Sequence, residues 1–167
     1  MILLRFIIFL IFEIKTIMKK LLFILLLTVQ FSQFVIGQEK TDLETLISQQ
    51  WFEYSKSFEY EDYENIAKHF TYPITFNYAN EPLILTNKEE LIRLYKDFRK
   101  NIQNGYKYSL LESYKVNQLS EKMVNIHAFY SRFNSAYERI YSGSGVYSYK
   151  KVNGEWKMYA VQSINQL

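Results

Sequence analysis

The hydrophobic period of this chain changes once, at Gly105, and that single change limits the folds open to it. After Gly105 apolar residues recur every second position, and helix signals vanish. Tyr106–Leu119, Lys122–Phe133, Tyr137–Lys150 and Glu155–Ile164 read as four long strands. The joints are Ser120-Glu121, Asn134-Ser135 and Val152-Asn153-Gly154. Connections this short make antiparallel neighbours, and Asn-Gly is the strongest hairpin signal.

Before Gly105 the helical period dominates. Thr41 and Glu44 form a capping box, and Leu43, Leu46, Ile47, Trp51, Tyr54 and Phe58 follow at helical spacing, which predicts a helix over 42–57. Glu59, Glu61, Asp62 and Glu64 precede Ile66, Ala67 and Phe70, as in a short second helix with acids at its positive end. Pro73 stops helix, and Ile74, Phe76 and Tyr78 alternate as a strand. Pro82 leads a short strand, Leu83–Leu85. Thr86 with Glu89 makes a second capping box before the stripe Leu91, Tyr95, Phe98 and Ile102, and Gly105 stands where a left-handed residue ends a helix. The expected fold is α+β: a cone-shaped roll of a curved, mostly antiparallel sheet covered by three N-terminal-half helices.

The first 37 residues read as an address. From Met18, Lys19 and Lys20 form a positive n-region, Leu21 to Val29 an apolar h-region, and Val35-Ile36-Gly37 a cleavage site. Met18 is the expected start, with residues 1–17 the product of a misplaced start codon; an uncleaved membrane anchor is the alternative and the only membrane contact expected. The expectation is a secreted or periplasmic protein whose residues 38–167 form a single domain. Arg5, Lys15, Lys19, Lys20 and Glu13 fall in the leader, so the body holds sixteen of the 20 basic and sixteen of the 17 acidic residues. An electroneutral body gives no footprint for nucleic acid. With no cysteine, disulfides, thiolate zinc sites, a cysteine nucleophile and a lipoprotein anchor are all excluded.

The element order carries a resemblance. Trp51 and Phe52 stand in the first helix, and Tyr63-x-x-Ile66-Ala67-x-x-Phe70 precedes Tyr72-Pro73. Asn87–Phe98, Gly105-Tyr106, Val124-x-Ile126-x-Ala128 leading to Arg132, and Asn153-Gly154-x-Trp156-x-Met158 follow. Over nearly all of 41–164 the chain resembles the nuclear transport factor 2-like superfamily, which includes ketosteroid isomerase-like, scytalone dehydratase-like and SnoaL-like proteins. The resemblance implies a cystatin-like roll around a cone. Superfamily members include enzymes, ligand binders and adaptors, so no activity is carried over.

Three residues could serve as a base: His69, His127 and Glu112. Each also has a plain reading, as a polar position or a solvated strand residue. The Glu59–Glu64 acids suit a helix terminus better than a cation, and no metal site or cofactor is expected. Val124, Ile126, Ala128, Tyr130 and Arg132 share one strand face, with Met123, Asn125, His127, Phe129, Ser131 and Phe133 on the other. If the first face meets the helices, Arg132 stands at the wall of a cavity, able to hold a carboxylate or a hydroxyl-rich ligand; otherwise it staples the helix acids. The expected lining is Tyr54, Phe76, Tyr95, Tyr130, Arg132 and Trp156. The leading reading is a small-ligand-binding domain. The alternatives are a cofactor-independent isomerase, dehydratase or cyclase, and an interaction module that forms a homodimer through the sheet face.

Overall fold

The computed structural model describes residues 18–20, 42–77 and 81–164. The expected cleavage site at Gly37, the Thr41 cap and Tyr78 lie outside the described residues. No helix among them is long and apolar enough to cross a membrane. Residues 1–40 form one compact unit and residues 41–167 another. The second contains α1 (Asp42–Glu59), α2 (Tyr63–Lys68), β1 (Phe70–Asn77), β2 (Leu83–Leu85), α3 (Lys88–Lys100), β3 (Tyr108–Ser120), β4 (Met123–Phe133), β5 (Arg139–Val152) and β6 (Glu155–Ser163).

Helix α1 starts with Asp42 and Glu44 in its first turn and buries Ile47 and Trp51. It stops at Glu59, two residues before Glu61 takes φ +59° and turns the chain. The acids of this corner are used one by one. Glu59 pairs with Lys56, Glu61 with Arg99 and Glu64 with Lys88, while the Asp62 carboxylate accepts the Asn65 N–H and caps α2. No group of three metal-ligating side chains forms among the described residues.

Two expectations change here. Phe70 opens β1 instead of closing α2, and it pairs with Met158 of β6. A residue before proline is pushed out of helical geometry, so Pro73 makes Tyr72 extended as well. Pro73 itself falls in the register shift between Phe70 and Thr75, where its missing N–H breaks no ladder. The third helix is capped by Asn87, not Thr86. Asn87 accepts the Glu90 N–H at 3.0 Å, and the Glu90 carboxylate accepts from the Thr86 N–H at 2.7 Å. Asparagine caps as well as threonine does, so the box shifts by one residue, and Ile102 falls beyond the helix end.

The sheet order is β2-β1-β6-β5-β4-β3, antiparallel except for the β1–β6 pair. Asn153 and Gly154 take φ +51° and +88°, the positive values that a tight two-residue hairpin requires. Val124, Ile126 and Ala128 are fully buried on the inner face, against a core that includes Trp51, Ile66, Phe70, Tyr95, Trp156 and Met158. The face chosen from strand parity is therefore the covered one. Phe98 packs on this core but stays partly open.

Candidate functional site

A cavity of about 210 Å³ opens between α1, α3 and the inner face of β4, β5 and β6. Trp51, Tyr54 and Phe58 reach it from α1, Tyr95 and Phe98 from α3, and Tyr130, Arg132, Tyr141 and Tyr147 from the sheet. Phe76 adds a wall from β1. The rings meet edge-on or tilted, as at Trp51–Tyr147 (5.8 Å) and Tyr54–Tyr95 (6.1 Å).

Two glycines of β5 let tyrosine rings close over the sheet here. Gly143 and Gly145 stand opposite Tyr130 and Ala128, at inward positions. A Cβ on Gly143 would lie 2.5 Å from the Tyr141 ring, so the glycine lets that ring fold over the strand. A Cβ on Gly145 would come within 3.1 Å of the Gln162 carbonyl oxygen.

Arg132 is the one charged residue of the lining. Its guanidinium lies over the rings of Tyr141 (5.0 Å), Tyr130 (5.4 Å) and Tyr106 (5.8 Å), and its Nη1 donates to Gln103 Oε1 at 2.6 Å. Its Nε is buried without a partner. No carboxylate lies within 4.0 Å of it among the described residues. The staple to the helix acids is made instead by Arg99, which pairs with Glu61 at 3.4 Å and lies over Tyr106 at 4.7 Å.

The phenols around it are held neutral. Burial pushes Tyr54 well above the ordinary value, although the hydrogen bond with Tyr95 (2.9 Å between hydroxyl oxygens) partly opposes it. Burial raises Tyr147, Tyr130 and Tyr106 too, and in each the charge of Arg132 pulls the other way. At neutral pH the wall therefore offers phenol hydroxyls and one permanent cation.

Of the expected lining, Tyr54, Phe76, Tyr95, Tyr130 and Arg132 meet at this cavity and Trp156 does not. Trp156 shares the inner side of β6 but sits at its hairpin end, opposite Lys151. The β6 residues at the cavity, Val161 to Ser163, begin five positions further on, about 17 Å along a strand. Trp156 instead lines a second, more polar cleft with Gln50, Glu53, Lys68, His69 and Lys157.

None of the three candidate bases reaches the cavity. His69 caps α2 and turns its ring edge to Tyr54 (6.2 Å) from the side of the second cleft; burial lowers its pKa, with the Glu53 charge acting against that. His127 packs against Phe129, the ring centroids 4.2 Å apart and tilted by 34°, on the opposite face of the sheet. Glu112 lies at a bulge between Leu111 and Ser113 and accepts from Arg139 at 3.2 Å. The bulge reverses parity, so Ser109 and Leu111, not Leu110 and Glu112, stand opposite the inward Arg132 and Tyr130. The isomerase, dehydratase or cyclase reading thus loses the groups it named. Sequence periodicity does not single out Gln103, Tyr141 or the two glycines; the alternation Ser142-Gly143-Ser144-Gly145 is the one legible signal, and it marks the glycines alone.

Comparison with curated proteins finds no match. Among solved structures, a Nostoc punctiforme protein of unknown function with a cystatin-like fold is 20% identical, with a TM-score of 0.63 over 75% of this chain and 93% of its own. An NTF2-like protein of unknown function from Pseudomonas putida is 14% identical, with a TM-score of 0.60 over 74% and 86%. A Novosphingobium aromaticivorans protein, provisionally titled an aromatic ring hydroxylase, is 11% identical, with a TM-score of 0.55 over 70% and 84%. At these identities the likeness is one of fold. The family model described as NTF2-like protein (DUF6841) matches residues 42–166, and the chain belongs to that NTF2-like family.

Proposed function

We propose that this protein is an exported ligand-binding domain whose cavity holds a small organic acid, with the acid group on Arg132. One observation carries the reading: the only charged group facing the cavity is a guanidinium with no carboxylate partner among the described residues. The Arg132 guanidinium is half-buried, so it has given up part of its hydration, which an anion replaces, and a carboxylate matches the planar donor fork. The aromatic wall supplies apolar contact for the rest of the molecule. Isothermal titration of carboxylic acids against their neutral amides tests this. Acids should bind and amides should not, and Arg132→Lys should weaken binding by about 1–3 kcal/mol, since lysine lacks the fork. Equal binding of acid and amide would refute it. Export rests on the signal-peptide pattern from Met18 to Gly37. Intact mass of the exported protein should show a chain starting at or near Gln38.

A second reading is favoured by the outer sheet face, where Leu110, Met123 and Phe129 are 47%, 38% and 41% exposed. That face would take a second copy of the chain. Sedimentation at micromolar concentration should show a dimer that Phe129→Glu disperses.

A further inference from the structure

The cavity is small, and its walls differ along their length. A cavity of about 150 Å³ accepts a benzene ring. The cavity of about 210 Å³ therefore leaves about 60 Å³ beyond one ring, room for a carboxylate within its mouth. Two fused rings carrying a carboxylate exceed it. Much of the wall is aromatic, so a flat ring gains edge and face contacts there that a flexible chain does not.

The polar groups stand at separate places on this wall. Arg132 lies on Tyr130, Tyr130 meets Trp51 at 6.1 Å, Trp51 meets Tyr147 at 5.8 Å, and Tyr147 meets Tyr54 at 5.9 Å. Rings thus line the wall from the guanidinium to Tyr54, and the charge of Arg132 still acts on the Tyr54 phenol. That hydroxyl makes one hydrogen bond, with Tyr95, and a hydroxyl can make up to three. It keeps capacity for an oxygen on the ligand, in a place where unmet polar groups are costly.

Resting on the acid-binding reading above, we infer that the ligand class is a monocyclic aromatic acid with a ring oxygen. Its carboxylate sits on Arg132, its ring among Tyr130, Trp51 and Tyr147, and its oxygen on the Tyr54 hydroxyl. Gly143 and Gly145 let the Tyr141 and Tyr147 rings lie close on the sheet, where both rings line the cavity.

Titration calorimetry on the full chain tests it with benzoate, the three monohydroxybenzoates, hexanoate and 1-naphthoate. Benzoate should bind at least tenfold tighter than hexanoate, and 1-naphthoate should not bind. The best monohydroxybenzoate should bind at least fivefold tighter than benzoate. Tyr54→Phe should erase that preference, so that benzoate and the same monohydroxybenzoate bind the variant within twofold of each other. On the unsubstituted protein, nuclear Overhauser effects should connect ligand ring protons to the Tyr130 and Tyr147 rings, a readout that needs no variant to fold. If hexanoate or 1-naphthoate binds as tightly as benzoate and depends on Arg132, the ring class falls while the acid-binding reading stands. If the hydroxyl preference survives Tyr54→Phe, the placement is overturned. If no acid binds, both readings fail together.

Discussion

Replacing Arg132 with methionine separates a structural arginine from one held for a ligand. In the unliganded protein the guanidinium gains three ring contacts, at 5.0, 5.4 and 5.8 Å, worth about 0.5–1 kcal/mol each. Its hydrogen bond to Gln103 adds about 1.5–3 kcal/mol as a charged donor. Against these stands the partial dehydration of a half-buried, unpaired cation. The two sides oppose each other, and half-burial weakens both. Methionine keeps most of the packing of the stem without the charge. Arg132→Met should therefore shift the stability of the unliganded protein by less than about 1 kcal/mol in either direction. Urea unfolding followed by tryptophan fluorescence measures this, and titration with benzoate should show at least a tenfold loss of affinity in the same variant. A stability loss of 3 kcal/mol or more would refute the reasoning, because that is the signature of a broken buried ion pair. Such a result would mean that the arginine has a structural partner and is no vacancy awaiting an acid.

Gly143→Ala should displace the Tyr141 ring, which a Cβ would approach to 2.5 Å, and weaken a bound acid about tenfold at a stability cost of about 1–3 kcal/mol; unchanged affinity would remove Tyr141 from the site. Trp51→Ala and Trp156→Ala, at residues 3% and 7% exposed, should each cost about 3–5 kcal/mol in urea unfolding, and a loss below about 1 kcal/mol would contradict their burial. His69 is held below its ordinary value of 6.5 by burial, so the folded protein binds fewer protons there than the unfolded chain. Its contribution is present above pH 6.5 and is lost as pH falls through 6.5 toward the folded value. His69→Gln should flatten that part of a stability-against-pH curve, and an unchanged slope would refute the assignment.

Much of this fold could be read from the chain because its signals were local. The period change at Gly105, the Asn153-Gly154 turn and the strand parity of Val124 to Arg132 each depend on neighbours within a few residues. The cavity partners Tyr54, Tyr95 and Tyr130 followed, since each lies on the apolar stripe or face of its own element. Failures came where an element is irregular or where distance along a strand matters. A strict two-residue period puts Glu112 on the face of Tyr114 and Val116, and the bulge at Leu111–Ser113 interrupts that period. Trp156 has the correct face but the wrong end of β6, because parity specifies a side and not a height. Gln103 lies between α3 and β3, outside any periodic segment, and only the folded chain brings it to Arg132 across 29 residues.

The same irregularities explain why a packed roll keeps a cavity at all. A regular sheet with a full side chain at every inward position would close on the helices and fill the cone. Here β3 inserts a residue at Leu111–Ser113, and the β4–β5 register shifts between Arg132 and Phe133. Both bulges lie toward one end of the sheet, where extra twist bends the strands around the mouth of the cone. Next to that bend Gly143 and Gly145 let tyrosine rings close over the sheet. The cavity is bounded by tyrosines, whose hydroxyls would be expensive to bury against an apolar filler. Arg132 sits beside the second bulge, where its stem leaves the covered face and its head meets the loop residue Gln103. The other end of the roll, around Ile74, Tyr149 and Met158, is fully buried. Trp51, Phe76, Tyr95 and Tyr147 belong to the core and to the cavity wall at once, so a substitution that alters the ligand without loosening the core has to fall on the half-buried lining, as at Arg132.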